Sequence, residues 1–244
     1  MFEKLNNLNE QVAVIAGGSG GIGFAIVKRL SSLGAKVIVL VRNDIELMQK
    51  RLDELKEGHL ALLADITDTK TLINAANKLD QCDILINSAG YSKIIPHKNL
   101  EELTDELFDN IIKINLRSVF STIRTFTPLL KRSNNPVIIN ISSTSAVRTG
   151  GSNMAYAASK AGIDSLTRNL SKALSPIRVV SISPGSVNSG FLDLPKNFYD
   201  HVGAITPLKR SGTEEDIASA VEAVLTTMRF TTGNIIAVDG GKSL

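Results

Sequence analysis

The sequence predicts an α/β fold: one three-layer sandwich, with a parallel sheet of about seven strands covered by helices on both faces. Two observations carry this. Apolar runs rich in valine and isoleucine recur along the chain, and they are continuous rather than alternating, as strands covered on both faces require. Helical stretches separate successive runs, which supplies the crossover that parallel pairing needs. No repeat, charge block or low-complexity linker breaks the pattern, so residues 1–244 read as a single domain.

Val12–Ala16 is the first strand, and it passes directly into glycines before a helix over 24–33. Lys36–Val41 is the second strand. Strand 59–64, helix 68–79 and strand 83–87 follow. A long helix over 103–130 leads to strand 137–142. Helix 155–174, strand 178–182, helix 213–228 and strand 234–238 complete the order. Only 185–212, with its prolines, glycines and mixed polarity, reads as a long loop with short helices. Open α/β sheets bind ligands beyond the carboxyl ends of their strands. The segments after Ala16, Asn87, Ser142 and Ser183 therefore share one rim.

Composition narrows the function classes. A net charge of +3, with scattered basic residues, argues against a nucleic-acid partner. The one cysteine, Cys82, excludes an intrachain disulfide, fits a reducing compartment and reads as a packing residue. Residues 1–6 contain no apolar secretory core, and no later run reaches membrane-spanning length. The expectation is a cytoplasmic protein with no membrane association and no metal.

Gly17-Gly18-Ser19-Gly20-Gly21-Ile22-Gly23 lies between the first strand and the first helix. Glycines there allow a tight turn and let backbone N–H groups approach a pyrophosphate, whose charge the helix N-terminus favours. The turn does not end in Lys-Ser or Lys-Thr, which argues against a triphosphatase loop. An acidic residue about 20 positions on would hold an adenosine ribose, whereas an arginine accommodates a 2′-phosphate. Val41 stands at the acidic position and Arg42 follows, with Ser19 within reach of the same phosphate. NADP(H) is therefore favoured, and NAD(H) stays open. Asp44 either interferes with the phosphate or caps a helix.

Tyr156-Ala157-Ala158-Ser159-Lys160 follows Ser143 by thirteen residues. On a helix, Tyr156 and Lys160 are one turn apart on a single face. A nearby ammonium favours phenolate, so the pair suits acid–base chemistry, and Ser143 is placed to hold a carbonyl or alcohol oxygen.

Taken together the chain resembles the short-chain dehydrogenase/reductase family, in its classical subfamily. The resemblance rests on Gly17–Gly23, Asn87-Ser88-Ala89-Gly90, Asn115, Ile141-Ser142-Ser143, Tyr156 to Lys160, Pro184-Gly185 and Val238-Asp239-Gly240-Gly241. Within the family it looks most like bacterial 3-oxoacyl-carrier-protein reductases, a likeness to which the segment 207–218 contributes. Ala16, Ser88, Val180 and Ser189 depart from common residues, but none removes a proton-transfer group. The resemblance implies a Rossmann-type sandwich and an oxidoreductase that moves hydride reversibly between a nicotinamide and a ketone or secondary alcohol. It also implies catalytic roles for Asn115, Ser143, Tyr156 and Lys160, with Asn115 holding a proton path behind Lys160. The implied cofactor residues are Gly17, Ser19, Gly20, Gly21, Ile22, Gly23, Arg42, Asp65, Ile66, Asn87, Ala89, Gly90, Tyr156, Lys160, Pro184, Gly185, Val187 and Ser189. Two alternatives stand beside this: a 3-oxoacyl-carrier-protein reductase of fatty acid synthesis, and a silent nucleotide-binding regulator. Retention of both Tyr156 and Lys160 disfavours the regulator.

The substrate is expected to be a small or carrier-bound carbonyl compound. Its walls are assigned to 185–212, where Phe191 and Leu194 either fold over the cofactor or pack statically, and to 150–154. Arg124, Arg132, Arg148, Arg168 and Arg178 are candidates for a carrier-docking patch. A homotetramer is expected from the resemblance and from Ile111, Ile112, Val119, Phe120, Ile123, Phe126, Leu129 and Leu130. These give the 103–130 helix more apolar surface than one stripe needs.

Overall fold

The computed structural model describes residues 7–244. The expectation of no secretory leader falls on residues 1–6 and lies outside them. Seven strands form one parallel sheet: β1 (Val12–Ala16), β2 (Lys36–Val41), β3 (Leu60–Leu63), β4 (Ile84–Asn87), β5 (Val137–Ile141), β6 (Arg178–Pro184) and β7 (Ile235–Val238). Their order is β3-β2-β1-β4-β5-β6-β7, and every neighbouring pair is parallel. The sequence reverses direction between β1 and β4, which opens the crevice at which such sheets take ligands.

The helices are α1 (Gly21–Ser32), α2 (Ile45–Asp53), α3 (Thr69–Ala76), α4 (Asp105–Ile112), α5 (Ser118–Leu130), α6 (Met154–Ala173), α7 (Lys196–Ile205) and α8 (Glu214–Thr226). Successive residues of a strand point to opposite layers. Ala13 and Ile15 pack with α1 and α8, while Val14 and Ala16 pack with the α3, α5 and α6 layer. Both layers are apolar, which is why the strands read as unbroken hydrophobic runs.

Three expectations change. The expected 103–130 helix begins at Asp105 after a short 3-10 turn, and Lys113–Arg117 is a π-helical turn that joins α4 to α5. The segment 185–212 contains α7, ten residues long, whose Val202 is buried. A further helix, α2, follows β2. Asp44 occupies its N-cap in a left-handed conformation but makes no side-chain cap bond.

Cys82 is buried, and burial pushes its thiol well above the ordinary range, as a packing role implies. Among the described residues no helix is long and apolar enough to cross a membrane, and no His, Cys, Asp or Glu group could hold a metal ion.

Candidate active site

The carboxyl ends of the strands surround a cleft of about 1000 Å³. Its floor is the turn from β1 to α1. A Cβ on Gly17 (φ +82°) would lie 2.4 Å from the Ala89 nitrogen, so the loops after β1 and β4 touch only because residue 17 is glycine. A Cβ on Gly23 would lie 1.9 Å from the Gly17 carbonyl oxygen, so glycine also sets how closely α1 approaches the turn. Gly20 is the N-cap of α1 and offers no side-chain cap, so the first-turn N–H groups have no side chain competing for them. Gly20 to Gly23 line the cleft, and a Cβ on Gly20 would meet nothing within 4 Å. This cradle fits the pyrophosphate of a dinucleotide. Ser189 closes over it: a Cβ on Gly21 would lie 2.8 Å from the Ser189 carbonyl oxygen.

At the β2–β3 end, Arg42 is exposed and lines the cleft beside Asp65 and Ile66. Burial tends to raise the Asp65 pKa. The Thr67 N–H and hydroxyl, both 2.8 Å from Oδ1, together with Arg42 and Lys113, leave it below the usual carboxylate range. Arg51 stacks on Phe24, 3.7 Å from the ring centroid, and donates to the Ser19 carbonyl at 2.5 Å, which ties α2 to the glycine turn.

Ser143, at the end of β5, and Tyr156 and Lys160, on α6, meet in the middle of the cleft. Asn153 caps α6 through the Tyr156 N–H at 2.8 Å and so sets where the helix begins. Burial pushes the Tyr156 phenol up to about 12, against a downward pull from its bond with Ser143. Lys160 was expected to lower that pKa. Instead Nζ donates to the Ile141 carbonyl at 2.8 Å and lies 5.5 Å from the Tyr156 ring centroid. Burial brings Lys160 itself down to about 8, with Asp164 opposing. For each group burial is the larger influence, opposed by Ser143 at the phenol and by Asp164 at the lysine. Asp164, one turn further along α6, is buried, and neither carboxylate oxygen makes a hydrogen bond of ordinary geometry.

Asn115 lies in the π-turn and is fully buried. Its Oδ1 accepts the Tyr91 N–H at 2.8 Å, and its Nδ2 donates to the Tyr91 carbonyl at 3.0 Å and to Ser159 Oγ at 3.1 Å. It therefore clamps the loop after β4 against α6, behind the cleft. Asn87 is also turned away from the cleft. Its amide donates to Asn140 Oδ1 at 2.9 Å, and a buried chain continues through Thr167 to Ser181. The remaining cofactor candidates all border the cleft: Ala89, Gly90, Pro184, Gly185, Val187 and Ser189.

Phe191 reaches back from the loop after β6, its ring 5.9 Å from that of Tyr156, and Leu194 also borders the cleft. Residues that sequence reasoning missed are Phe198 and Tyr199 of α7, and Lys242 beyond β7. The apolar spacing Phe198, Val202, Ile205 carried a helical signal, whereas nothing local marked Lys242. Three of the five arginines named as docking candidates lie at different ends of the sheet. Arg132 bonds the Asp80 carbonyl and Arg178 the Val224 carbonyl, at the amino ends of strands, whereas Arg148 lines the cleft at the opposite end.

A family model described as enoyl-(acyl carrier protein) reductase matches residues 16–243. The 3-oxoacyl-[acyl-carrier-protein] reductase FabG of Rickettsia bellii is 32% identical over 244 residues, covering 96% of this chain and 98% of that protein. A 3alpha-hydroxysteroid dehydrogenase of Mediterraneibacter gnavus is 32% identical over 253 residues, covering 98% of each. The crystal structure of a dehydrogenase/reductase from Sinorhizobium meliloti superposes with a TM-score of 0.91 at 30% identity, covering 100% of both chains. A short-chain dehydrogenase/reductase from Serratia marcescens superposes at 0.87 with 31% identity, covering 97% of this chain and 99% of that one.

Proposed function

The chain belongs to the short-chain dehydrogenase/reductase family, NAD(P)-dependent oxidoreductases acting on CH–OH and C=O groups, and from that premise we propose an NADPH-preferring carbonyl reductase that uses Ser143, Tyr156 and Lys160. The observation that carries this reading is the convergence of those three side chains on one cleft that also holds the glycine cradle. A bound nicotinamide supplies or accepts the hydride. The protein's part is proton transfer and orientation. Ser143 holds the substrate oxygen and stabilises negative charge developing there. Tyr156 donates a proton to that oxygen in reduction and takes it back in oxidation. Lys160 borders the same cleft and would hold the nicotinamide ribose. Asn115 keeps the Tyr91 loop and Ser159 in place behind Lys160. The preference for NADPH is supported by Arg42 at the end of β2, where Val41 replaces an acid.

The loop region 185–212 is assigned to substrate binding, since Phe191, Leu194 and Phe198 add apolar surface beside Tyr156. A carrier-bound 3-oxoacyl substrate is the second reading, favoured by the likeness to the Rickettsia protein.

Tyr156→Phe tests the central claim. Turnover should fall by a factor of about 100 or more while cofactor binding persists. Near-normal turnover in that variant would exclude the role of the phenol. Fluorescence titration should find tighter binding of NADPH than of NADH, and equal or tighter NADH binding would reverse the cofactor preference.

A further inference from the structure

Apart from Lys160 beside Tyr156, the cations of the cleft fall at two ends of the sheet. Arg42 follows β2, whereas Arg148 follows β5 and Lys242 follows β7. Five strand spacings separate β2 from β7, roughly 24 Å at the usual interstrand distance. Lys242 is therefore far from the ribose end and, bonded to Ser186, beside the turn after β6, where the Arg148 guanidinium joins it.

The tail beyond β7 carries Lys242 there. Gly240 and Gly241 adopt φ of 65° and 85°, and Asp239 accepts the Gly241 and Ser243 N–H groups at 2.9 and 2.6 Å, so the chain doubles back. Lys242 Nζ then donates to Ser186 Oγ at 2.9 Å, and the Arg148 guanidinium donates to the Lys242 carbonyl. Two like charges are held side by side by these bonds. Burial first, then Arg148, keeps the Lys242 ammonium below the ordinary lysine range, with Asp239 opposing. Asp239 is the nearby acid and offsets part of this charge, but both its oxygens also accept backbone N–H groups, and one carboxylate against two cations leaves the pair net positive. The one carboxylate lining the cleft among the described residues is Asp65, at the ribose end.

We propose that Arg148 and Lys242 form an anion subsite for the substrate, so that the carbonyl compound reduced at Tyr156 carries a carboxylate remote from its reacting carbon. This rests on the redox reading above. Each cation keeps N–H donors beyond the bonds just given, and together they present a charge-assisted pair to a carboxylate. Ile94, Phe191 and Leu194 line the same cleft and suit a hydrocarbon spacer between carbonyl and carboxylate.

The test uses the full chain and methyl ketones of increasing length: 4-oxopentanoate, 6-oxoheptanoate and 8-oxononanoate, each against its methyl ester. Turnover is followed with NADPH, and binding by calorimetry in the presence of NADP. At one or more lengths the acid should exceed the ester at least about tenfold in both kcat/KM and affinity, or about 1.4 kcal/mol. Added salt should narrow the gap. Lys242→Glu should bring the ratio to one or below, and Lys242→Met and Arg148→Gln should reduce it, in proteins whose circular dichroism matches the parent. Equal acid and ester at every length overturns the subsite, as does an acid preference that survives Lys242→Glu. Acids that bind better than esters without any turnover uphold the subsite and defeat the redox reading. Acids and esters turned over alike do the reverse.

Discussion

Asp164 is a carboxyl group in the core with no ordinary hydrogen bond and a lysine one helical turn away. Burial raises its pKa most, while Ser142, Arg168 and Lys160 pull it down without restoring the usual value. A carboxyl whose folded pKa exceeds its unfolded one holds its proton more tightly in the native state, so stability falls as pH rises through the window between the two values. Asparagine does not titrate. Asp164→Asn should therefore unfold at a higher temperature than the parent at neutral pH, and the gain should vanish as pH drops below the ordinary aspartate pKa. Thermal melts across pH check this, and a gain that stays constant down to acid pH would show that the charge is not its source. On this expectation the natural residue carries a cost in stability one helical turn along α6 from Lys160.

Between elements, α1 and α8 pack as neighbours on one face of the sheet and are joined by charge as well as apolar contact. Arg29 bonds Glu222 at 3.0 Å and Glu215 at 3.1 Å. The start of α8 is set by a capping box, in which Thr213 and Asp216 satisfy each other's backbone N–H groups and Arg210 pairs with the same carboxylate at 2.6 Å. That arrangement holds Asp216 well below the usual carboxylate range. Thr213→Ala removes the hydroxyl cap and should cost about 1 kcal/mol. A lower urea midpoint with an unchanged slope is the expected result, and an unchanged midpoint would show that Asp216 and Arg210 hold the helix start unaided. The joint between α4 and α5 follows a different logic. A π-turn shifts the register by one residue, and it is there that Asn115 faces inward to Tyr91 and Ser159.

At the scale of the molecule, six of the eight apolar side chains taken as surplus are buried within the chain itself: Ile111, Val119, Ile123, Phe126, Leu129 and Leu130. Phe120 stays 41% exposed beneath Arg124, whose guanidinium is 5.6 Å from the ring centroid. The case for a homotetramer therefore shifts to the edges. Phe108 and Phe120 are exposed along α4 and α5, and none of the four residues of β7, the outer strand, is buried. We keep the tetramer as a proposal on that ground. Light scattering at micromolar concentration should give roughly four times 26.2 kDa. A stable species of 26.2 kDa that remains active on dilution would refute it.

Much of this protein was determined by local signals. Strands buried on both faces must be continuously apolar, so the sheet was legible in its valine and isoleucine runs, and the glycine turn was legible because close backbone approach tolerates no Cβ. Tyr156 and Lys160 were legible because one helical turn joins them. What the tertiary structure decided depends on contacts between distant segments. Where the Asn87 amide points could not be read from its residue type, because its register partner Asn140 accepts from it. Most of the apolar excess on 103–130 was not surplus, because α3, α6 and the sheet enclose more of its girth than a single-face helix would bury, whereas Phe120 stays exposed. The acidity of the Tyr156 and Lys160 pair depends on how little water reaches it, a property of the enclosed pocket rather than of their spacing. Lys242 enters the cleft only because the chain doubles back after β7, and no pattern within a few residues encodes where a tail will lie.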